Sequence, residues 1–378
     1  MNSVKANPKY TNEKLDKVNV GFFAILPVVT VALTFFYIKY FDVSWGIAIF
    51  ALVFAAATNL SITAGYHRLF SHRSYQGHPI LRMALLLIGA SGYQGSALKW
   101  SSDHRRHHNK LDTEDDPYSV TEGFWHAHMG WLFYKDENEK IKATDLEADK
   151  MVMWQHDNYL LISIVMGFIF PTVIGALLGD PLGGLVFAGC LRIILTQQST
   201  FFVNSLCHMV GKRPYSLQST ARDSFIVAVL THGEGYHNFH HRFQTDYRNG
   251  IRWYHWDPTK WVIKSMALLG LAQGLRKISQ QEILKARLQV DELKIKSVGY
   301  SDEKIRQLKE QILVAQVRMK TLREEYKRLK SEKNEAWQNK VVEIKRDIAT
   351  AKMEFKVGMQ IWRIYLSQAR LAPVRVGR

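Results

Sequence analysis

Histidines are concentrated in four short stretches of the chain. DHRRHH and GYHNFHH each place three histidines at spacings i, i+3 and i+4, whereas GYHRLFSH contains a pair five residues apart. A fourth stretch, NSLCH, ends in a histidine four residues after an asparagine. Nine histidines lie in these stretches: His67, His72, His104, His107, His108, His208, His237, His240 and His241. They predict a metal site, because neutral imidazole is a good ligand for iron, zinc, copper and nickel.

The number and spacing of these histidines indicate two ions. Nine imidazoles are too many for one ion, whereas two ions with four or five ligands each would use all of them. Residues at i, i+3 and i+4 share one face of a helix, so each HxxHH stretch is expected to point its imidazoles at one location. His67 and His72 would lie about 140° apart on a regular helix. They therefore either flank the end of a helix or bind different metals.

The surrounding sequence narrows the type of metal site. No CxxC pair and no carboxylate-rich ExxH motif accompanies the histidines. This disfavours a structural zinc site and the carboxylate-bridged di-iron pattern of soluble helical bundles, so an all-histidine dinuclear iron site is the prediction. The two cysteines, Cys190 and Cys207, lie in apolar stretches and are expected to be buried, unreactive thiols.

Four apolar segments must position these histidines. They cover residues 18–41, 45–65, 159–179 and 182–207, and each has about the 20 mainly apolar residues needed to cross a hydrocarbon core of about 30 Å. The short connection within each pair carries no Lys or Arg, whereas the segments with the histidines are basic. The positive-inside rule therefore places both termini and all four histidine stretches on the cytoplasmic side.

The predicted fold class is an all-α integral membrane protein with two transmembrane hairpins and a cytoplasmic helical cap that holds the two metals. Residues 80–100 and 261–275 are apolar but interrupted or short. The first is expected to form a re-entrant or interfacial helix, and the second an interfacial helix. We predict three regions: a basic segment 1–17, a membrane domain 18–279 and a basic helical tail 280–378.

The tail differs in composition from the rest of the chain. Residues 281–378 hold 23 Lys and Arg against 13 Asp and Glu, which gives them +10 of the formal net charge of +16. A seam with heptad-like spacing indicates a helical hairpin or a coiled coil with a partner, followed by a four-residue stutter. A basic amphipathic helix can also lie on anionic lipid, and both readings remain open. Nucleic acid is excluded as a partner because no binding motif is present. The seam consists of Ile305, Leu308, Ile312, Ala315, Met319, Leu322, Tyr326 and Leu329.

Five segments together resemble the membrane fatty-acid desaturases, and most closely their acyl-CoA Δ9-desaturase branch of the stearoyl-CoA desaturase type. They are TAGYHRLFSHRSY, DHRRHHNKLDTEDDPY, GFWHAHMGWLF, TFFVNSLCH and THGEGYHNFHHRFQTDYR. The resemblance runs from about residue 21 to residue 279 and does not include the tail. It implies that the nine histidines bind two iron ions (Fe²⁺/Fe³⁺) and that Asn204 holds one of them through a water molecule.

The resemblance also implies an apolar tunnel for an acyl chain. Gln94, Trp100 and Thr200 match the positions that shape its bend beside the metals. Ala55 and Asn59, one turn apart on the second predicted span, are expected at the end of the tunnel, where the small Ala55 would admit a long chain. An apolar tunnel suits such a substrate because a saturated chain has no polar handle.

The activity implied is an O₂-dependent fatty-acyl desaturation that uses two electrons and inserts a cis double bond at Δ9. Gly95, Ser102 and Tyr134 depart from the polar or basic positions that bind a CoA head group, so acyl-lipid and acyl-carrier-protein substrates stay open beside acyl-CoA. The haem-binding motif HPGG is absent. The electrons are therefore expected from a separate donor, a cytochrome b5-like protein or a ferredoxin, attracted by the basic cytoplasmic face.

Four carboxylates lie beside the histidine stretches and are candidates to orient the imidazoles through their second ring nitrogen. They are Asp103, Asp115, Asp116 and Glu234. Two rival functions remain: a histidine-box membrane hydroxylase, and a metal transporter or sensor. The bacterial inner membrane is the favoured location, with the endoplasmic reticulum as the alternative.

Overall fold

The computed structural model describes residues 14–135, 143–332 and 337–371, and most of these are helical. The strands described are Gln76–Gly77 and Ala272–Gln273, which pair antiparallel. Two compact units form: a span unit of Met1–Arg213 with Gln218–Lys277, and a tail unit of Pro214–Leu217 with Ile278–Arg378. The predicted all-α fold class is confirmed.

Four helices of the span unit are long and apolar enough to cross a membrane: Lys17–Tyr40, Trp45–Ser71, Tyr159–Leu177 and Pro181–Met209. The first two begin at N-caps, where the side chains of Asp16 and Ser44 accept backbone N–H groups of the first turn. Large apolar side chains such as Leu52 and Leu177 are exposed on their outer faces. Such side chains are stable in lipid rather than in water.

Three of these spans contain π-helical segments: Ser61–Ser71, Val165–Ile169 and Gly184–Leu191. The flanking α-helical parts are Trp45–Leu60, Tyr159–Ile164, Phe170–Leu177, Pro181–Gly183, Arg192–Asn204 and Leu206–Met209. The third and fourth spans approach closely at glycine, since a Cβ on Gly184 would lie 2.4 Å from the carbonyl oxygen of Pro171. Small residues allow such backbone contact between membrane helices.

Shorter helices complete the span unit. Pro79–Ala90 is apolar but has only 12 residues, too few to cross a bilayer, as expected for a re-entrant or interfacial helix. The remaining α-helices are Ala97–Lys110, Phe124–His128, Thr144–Glu147, Lys150–Asp157, Phe225–Leu230, His237–Arg242 and Pro258–Leu268. Two 3₁₀ turns occupy Val120–Glu122 and Gly130–Phe133.

In its described part, the tail unit contains the helices Gln280–Lys296, Asp302–Glu332 and Trp337–Leu371. The last two pack antiparallel, since Tyr300 contacts Tyr365 while Arg318 pairs with Glu354 at 3.6 Å. The predicted helical hairpin is thus present, and the heptad seam supplies much of its core through residues such as Ile312. The four-residue stutter is predicted between Leu329 and Trp337, and residues 333–336 of that interval lie outside the described part of the chain.

Candidate metal centre

The first histidine pair lies where the second span ends. The segment Ser61–Ser71 is π-helical, and the backbone N–H of His72 donates to the carbonyl oxygen of His67 at 3.1 Å. An i→i+5 hydrogen bond returns the chain to the same side after five residues, so the two rings lie 4.8 Å apart. The structure brings both rings to one location, because the period of a regular α-helix does not apply here.

All nine histidines converge in two adjacent buried groups. We call them the five-histidine group and the four-histidine group, and the ligand atoms of each lie within 4.8 Å of one another. The five-histidine group consists of His67, His72, His104, His108 and His240. The four-histidine group consists of His107, His208, His237 and His241.

Each HxxHH stretch is divided between the groups. The residues at i and i+4 enter one group, as His104 and His108 do, whereas His107 at i+3 enters the other. On the helix His237–Arg242 the i and i+4 histidines enter the four-histidine group and His240 the five-histidine group. The expectation of one point of convergence per stretch is therefore wrong. Consecutive side chains on a helix are about 100° apart, which lets neighbouring histidines face different ions.

The arrangement of nitrogens fits bound metal. Nε2 of His240 lies 3.0 Å from Nε2 of His67 and 3.0 Å from Nε2 of His108, and the Nε2 atoms of His72 and His104 are 2.8 Å apart. A neutral imidazole carries one N–H, so not all of these nitrogens can be donors. Nε2 of His208 is buried and has no hydrogen-bond partner among the described residues. Lone pairs that meet in this way are stabilised by a cation.

Burial keeps most of these histidines in the form that binds metal. Desolvation lowers their pKa values well below the usual value, and the neighbouring imidazoles lower them further. The rings are therefore neutral at pH 7, and neutral imidazole is the ligand. This applies to His72, His104, His108, His237, His240 and His241.

Two of the four candidate carboxylates lie against histidines. Glu234 Oε2 lies 3.0 Å from Nδ1 of His67, and Asp116 Oδ1 lies 2.8 Å from Nδ1 of His107. Burial alone would raise the pKa of each acid, but His67 and Arg68 lower that of Glu234 to about 2, and His107 lowers that of Asp116. Asp116 is hydrogen-bonded to Nδ1 of His107, whereas Glu234 contacts Nδ1 of His67 at ion-pair distance without hydrogen-bond geometry. An ionised carboxylate beside Nδ1 favours the proton there and leaves Nε2 for the group.

The other two candidate carboxylates pair elsewhere. Asp103 lies 3.3 Å from the ammonium of Lys99, and Asp115 lies 3.3 Å from that of Lys110. Both lysines are about half exposed. Ion pairs of this kind contribute little to stability and do not touch the ligand rings.

Two further residues, Thr220 and Tyr118, contact the histidines, a third, Asp112, supports Thr220, and all three were missed from the sequence. Thr220 Oγ1 lies 2.8 Å from Nδ1 of His208 and donates to Asp112 Oδ1 at 2.6 Å. The hydroxyl of Tyr118 lies 3.3 Å from Nδ1 of His104. Asp112 and Tyr118 belong to the polar stretch after the second histidine box, which is a weak signal. Nothing in the sequence around Thr220 distinguishes it.

A cavity opens beside both histidine groups. Trp100 stacks on His104 with 5.0 Å between ring centroids, and Gln94 Nε2 donates to Thr200 Oγ1 at 2.9 Å. Asn204 is on the cavity wall, whereas Ala55 is not among the described residues that line it. The lining consists of Ile62, Thr63, His67, Trp100, His104, His107, Tyr118, Thr200, Val203, Asn204, Glu234 and His237.

Comparison with known proteins gives one family. The model of the fatty acid desaturase family matches residues 43–272. The chain is 46% identical over 252 residues to acyl-CoA desaturase 1 of Saccharomyces cerevisiae, and the aligned region covers 65% of this chain and 49% of that protein. It is 45% identical over 245 residues to a probable acyl-CoA desaturase of Schizosaccharomyces pombe, covering 64% and 51%. To the stearoyl-CoA desaturase of Homo sapiens it is 36% identical over 254 residues, covering 65% and 69%. The chain spans about half the length of the two yeast relatives.

Proposed function

Because this chain belongs to the fatty acid desaturase family, we propose that it is an O₂-dependent fatty-acyl desaturase with a di-iron centre. The observation that carries the proposal is the convergence of nine buried histidines in two adjacent groups at the wall of a cavity. One hydrogen atom leaves each of two neighbouring methylenes of a saturated chain, and a cis double bond forms between them. We place it at Δ9, the position that the resemblance to the Δ9-desaturases implies. Together with two electrons from the donor and two protons, the two hydrogen atoms reduce one O₂ to two molecules of water.

When bound, the irons would supply O₂ reduction and hydrogen abstraction. The chain's own residues position the reactants. Glu234 and Asp116 hold the Nδ1 atoms of His67 and His107, so that the Nε2 atoms face inward. Trp100, packed against His104, forms an apolar wall on which the acyl chain rests. The hydrogen bond from Gln94 to Thr200 fixes the shape of that wall, which registers a chain that has no polar group.

Product analysis tests this function. Membranes with the full chain are supplied with a saturated acyl substrate, O₂ and a reductant, and the fatty acids are separated by gas chromatography. We expect monounsaturated chains with the double bond at a single position. A His107→Ala variant should form no monounsaturated chains. Hydroxylated chains without double bonds would favour the hydroxylase reading. Labile zinc or copper without iron or product would favour a transporter or sensor.

The proposed substrate is acyl-CoA, as the names of the relatives suggest. Acyl-lipid is the alternative, because Ser102 is buried and the backbone N–H of Gly95 is bonded to Tyr159. Neither residue offers a charge to a CoA head group. Competition between acyl-CoA and an acyl-phospholipid that carry the same labelled chain decides between them. Ala55→Trp should shorten the preferred chain, since a bulky ring would close the end of the tunnel, and an unchanged preference would remove Ala55 from it.

The protein is a multi-pass membrane protein, with four candidate spans among the residues that the structure describes. We propose that both termini and the metal centre face the cytoplasm, where a cytochrome b5-like protein or ferredoxin delivers the electrons. The relatives compared above are eukaryotic, so the earlier preference for a bacterial inner membrane has no support, and the endoplasmic reticulum is proposed. Labelling of cysteines placed in the loops with a membrane-impermeant reagent tests the orientation.

We propose further that the tail unit binds a second copy of this chain. The heptad seam is occupied within the hairpin, but the outer face of Trp337–Leu371 exposes an apolar stripe, with Val342 at 67% and Met353 at 65% exposure. At about 100° per residue, basic residues flank one side of the stripe and acidic residues the other. The stripe is Val342, Met353, Val357, Ile364 and Leu371 and is interrupted by the exposed Arg346, with Lys345, Lys352 and Arg363 on one flank and Glu343 and Asp347 on the other. Glu354, also on the acidic flank, already pairs with Arg318 within the hairpin.

Parallel pairing sets the basic flank of one copy against the acidic flank of the other, whereas antiparallel pairing sets like charges together. We expect Met353→Cys chains in nanodiscs to form a disulfide-linked dimer, and Lys345→Glu with Lys352→Glu to reduce it. Monomers, or attachment to anionic lipid without a dimer, would contradict this proposal.

A further inference from the structure

A buried charge network lies at the Nδ1 side of His67, whose Nε2 faces the five-histidine group. Glu234 Oε1 lies 2.9 Å from Nη2 of Arg68, while Oε2 contacts His67 and accepts the side-chain amide of Asn249 at 2.6 Å. The side chains of Arg68, Glu234 and Asn249 are almost completely buried. Both oxygens of the carboxylate that touches the histidine are thus held by other side chains.

Asp257 forms the far end of this network. Its two oxygens lie 3.0 and 3.2 Å from the guanidinium of Arg68, which also donates to the carbonyl oxygen of Tyr247 at 2.8 Å. The same carboxylate accepts the backbone N–H groups of Asn249 at 2.9 Å and Lys260 at 3.0 Å, and it begins the helix Pro258–Leu268. Among the described residues, none of its hydrogen bonds goes to a histidine.

The geometry makes Arg68 a bridge. A planar guanidinium can bond two carboxylates at once in a fixed relative orientation. Asp257 is itself anchored to backbone, so it fixes the plane of Arg68, and Arg68 fixes the oxygen of Glu234 that faces away from His67. The remaining oxygen of Glu234 then determines the ring orientation of His67. A displacement of any of these side chains would therefore also displace Nε2 of His67.

We propose that Asp257 is a positioning residue for the metal ion of the five-histidine group, acting through Arg68 and Glu234 on His67. This inference rests on the metal centre of the proposed function. The four-histidine group has separate partners, Asp116 and Thr220, neither of which is hydrogen-bonded to Asp257. Loss of the Asp257 carboxylate therefore weakens one of the two sites and leaves the other intact.

The test is metal binding by the full chain, purified in nanodiscs and loaded with ⁵⁷Fe²⁺. Mössbauer spectra resolve the two iron environments, and competition with a chelator gives the affinity of each. We expect Asp257→Asn to weaken one site by about 10-fold, the low end of the range for partners beyond the direct ligands. Glu234→Gln should weaken the same site more, by up to about 100-fold.

Asp246→Asn is the matched control. Asp246 is buried and paired with Arg248 at 2.8 Å, so the substitution costs a similar ion pair but should leave both iron affinities unchanged. If Asp257→Asn weakens both sites equally, or neither, the inference is wrong. Should that variant fail to accumulate, Arg68→Lys breaks the same link, because an ammonium lacks the fork that spans two carboxylates.

The two proposals fail separately. If the unaltered chain binds two irons but forms no double bond, while Asp257→Asn weakens one site alone, the desaturase proposal is wrong and the role of Asp257 stands. If double bonds form but the iron affinities of Asp257→Asn match those of the unaltered chain, the role of Asp257 is wrong and the desaturase proposal stands.

Discussion

The two histidine groups share the same ligand type but are supported differently. In the five-histidine group, Glu234 holds His67 and is itself anchored by the buried Arg68. In the four-histidine group, Asp116 holds His107, while His208 is held by the neutral hydroxyl of Thr220, backed by Asp112. A charged partner polarises an imidazole more strongly than a hydroxyl does. Imidazoles of the same type can therefore differ in basicity according to what lies behind them.

The largest effect is expected from removing one ligand in each group. His107→Ala in the four-histidine group and His104→Ala in the five-histidine group should each reduce desaturation by more than about 100-fold, since even outer partners cost 10–100-fold in metal affinity. Each variant should lose one iron while the chain stays in the membrane. Gas chromatography and iron analysis measure this. Full activity with either group damaged would show that the two groups do not act as one centre.

Removing the charge behind each group should have a smaller effect. Glu234→Gln and Asp116→Asn keep the size of the side chain but no longer stabilise the Nδ1–H form of the ring. Each should lower the iron affinity of its own group by about 10–100-fold. Chelator competition on the purified chain measures both. Asp115→Asn serves as the control, because Asp115 pairs with an exposed lysine. If Glu234→Gln weakened iron binding in the four-histidine group, or Asp116→Asn in the five-histidine group, the two groups would not be supported separately.

Thr220→Val tests the neutral support. The variant keeps the shape of the side chain but removes the hydroxyl between His208 and Asp112. A buried hydrogen-bonding group left without its partner costs about 1–3 kcal/mol, so we expect about 10-fold weaker iron binding in the four-histidine group. Thr220→Ser should restore most of it. Equal affinities for the Val and Ser variants would mean that the hydroxyl has no such role.

The smallest effect is expected from pH. Burial and neighbouring imidazoles hold the pKa values of His104 and His241 well below the usual value, so protons do not compete with metal near neutrality. Iron affinity should stay nearly constant from pH 8 down to about 6.5, the ordinary pKa of histidine. It should fall only at lower pH, in both groups. A decline that begins above pH 7 would show that the ligands are solvated.

Much of this protein could be predicted from its sequence. The four spans follow from apolar length, because the thickness of a bilayer sets the number of residues needed. The nine histidines follow from their spacing, and Asp116 and Glu234 from their proximity to the boxes. These are local properties, visible in any short window of the chain. The hairpin seam of the tail is local in the same sense.

The tertiary structure decided how those pieces are divided. The π-helical segment brings His67 and His72 to one side, and packing of two short helices splits each HxxHH stretch between the groups. The network of Arg68, Glu234 and Asp257 joins distant residues, since Arg68 and Glu234 are more than 160 positions apart in the sequence. Thr220 carries no motif at all. Such partners are selected by long-range packing, because packing removes polar groups from water and makes every unpaired polar atom costly. No short stretch of sequence specifies which distant side chain will supply the missing hydrogen-bond partner.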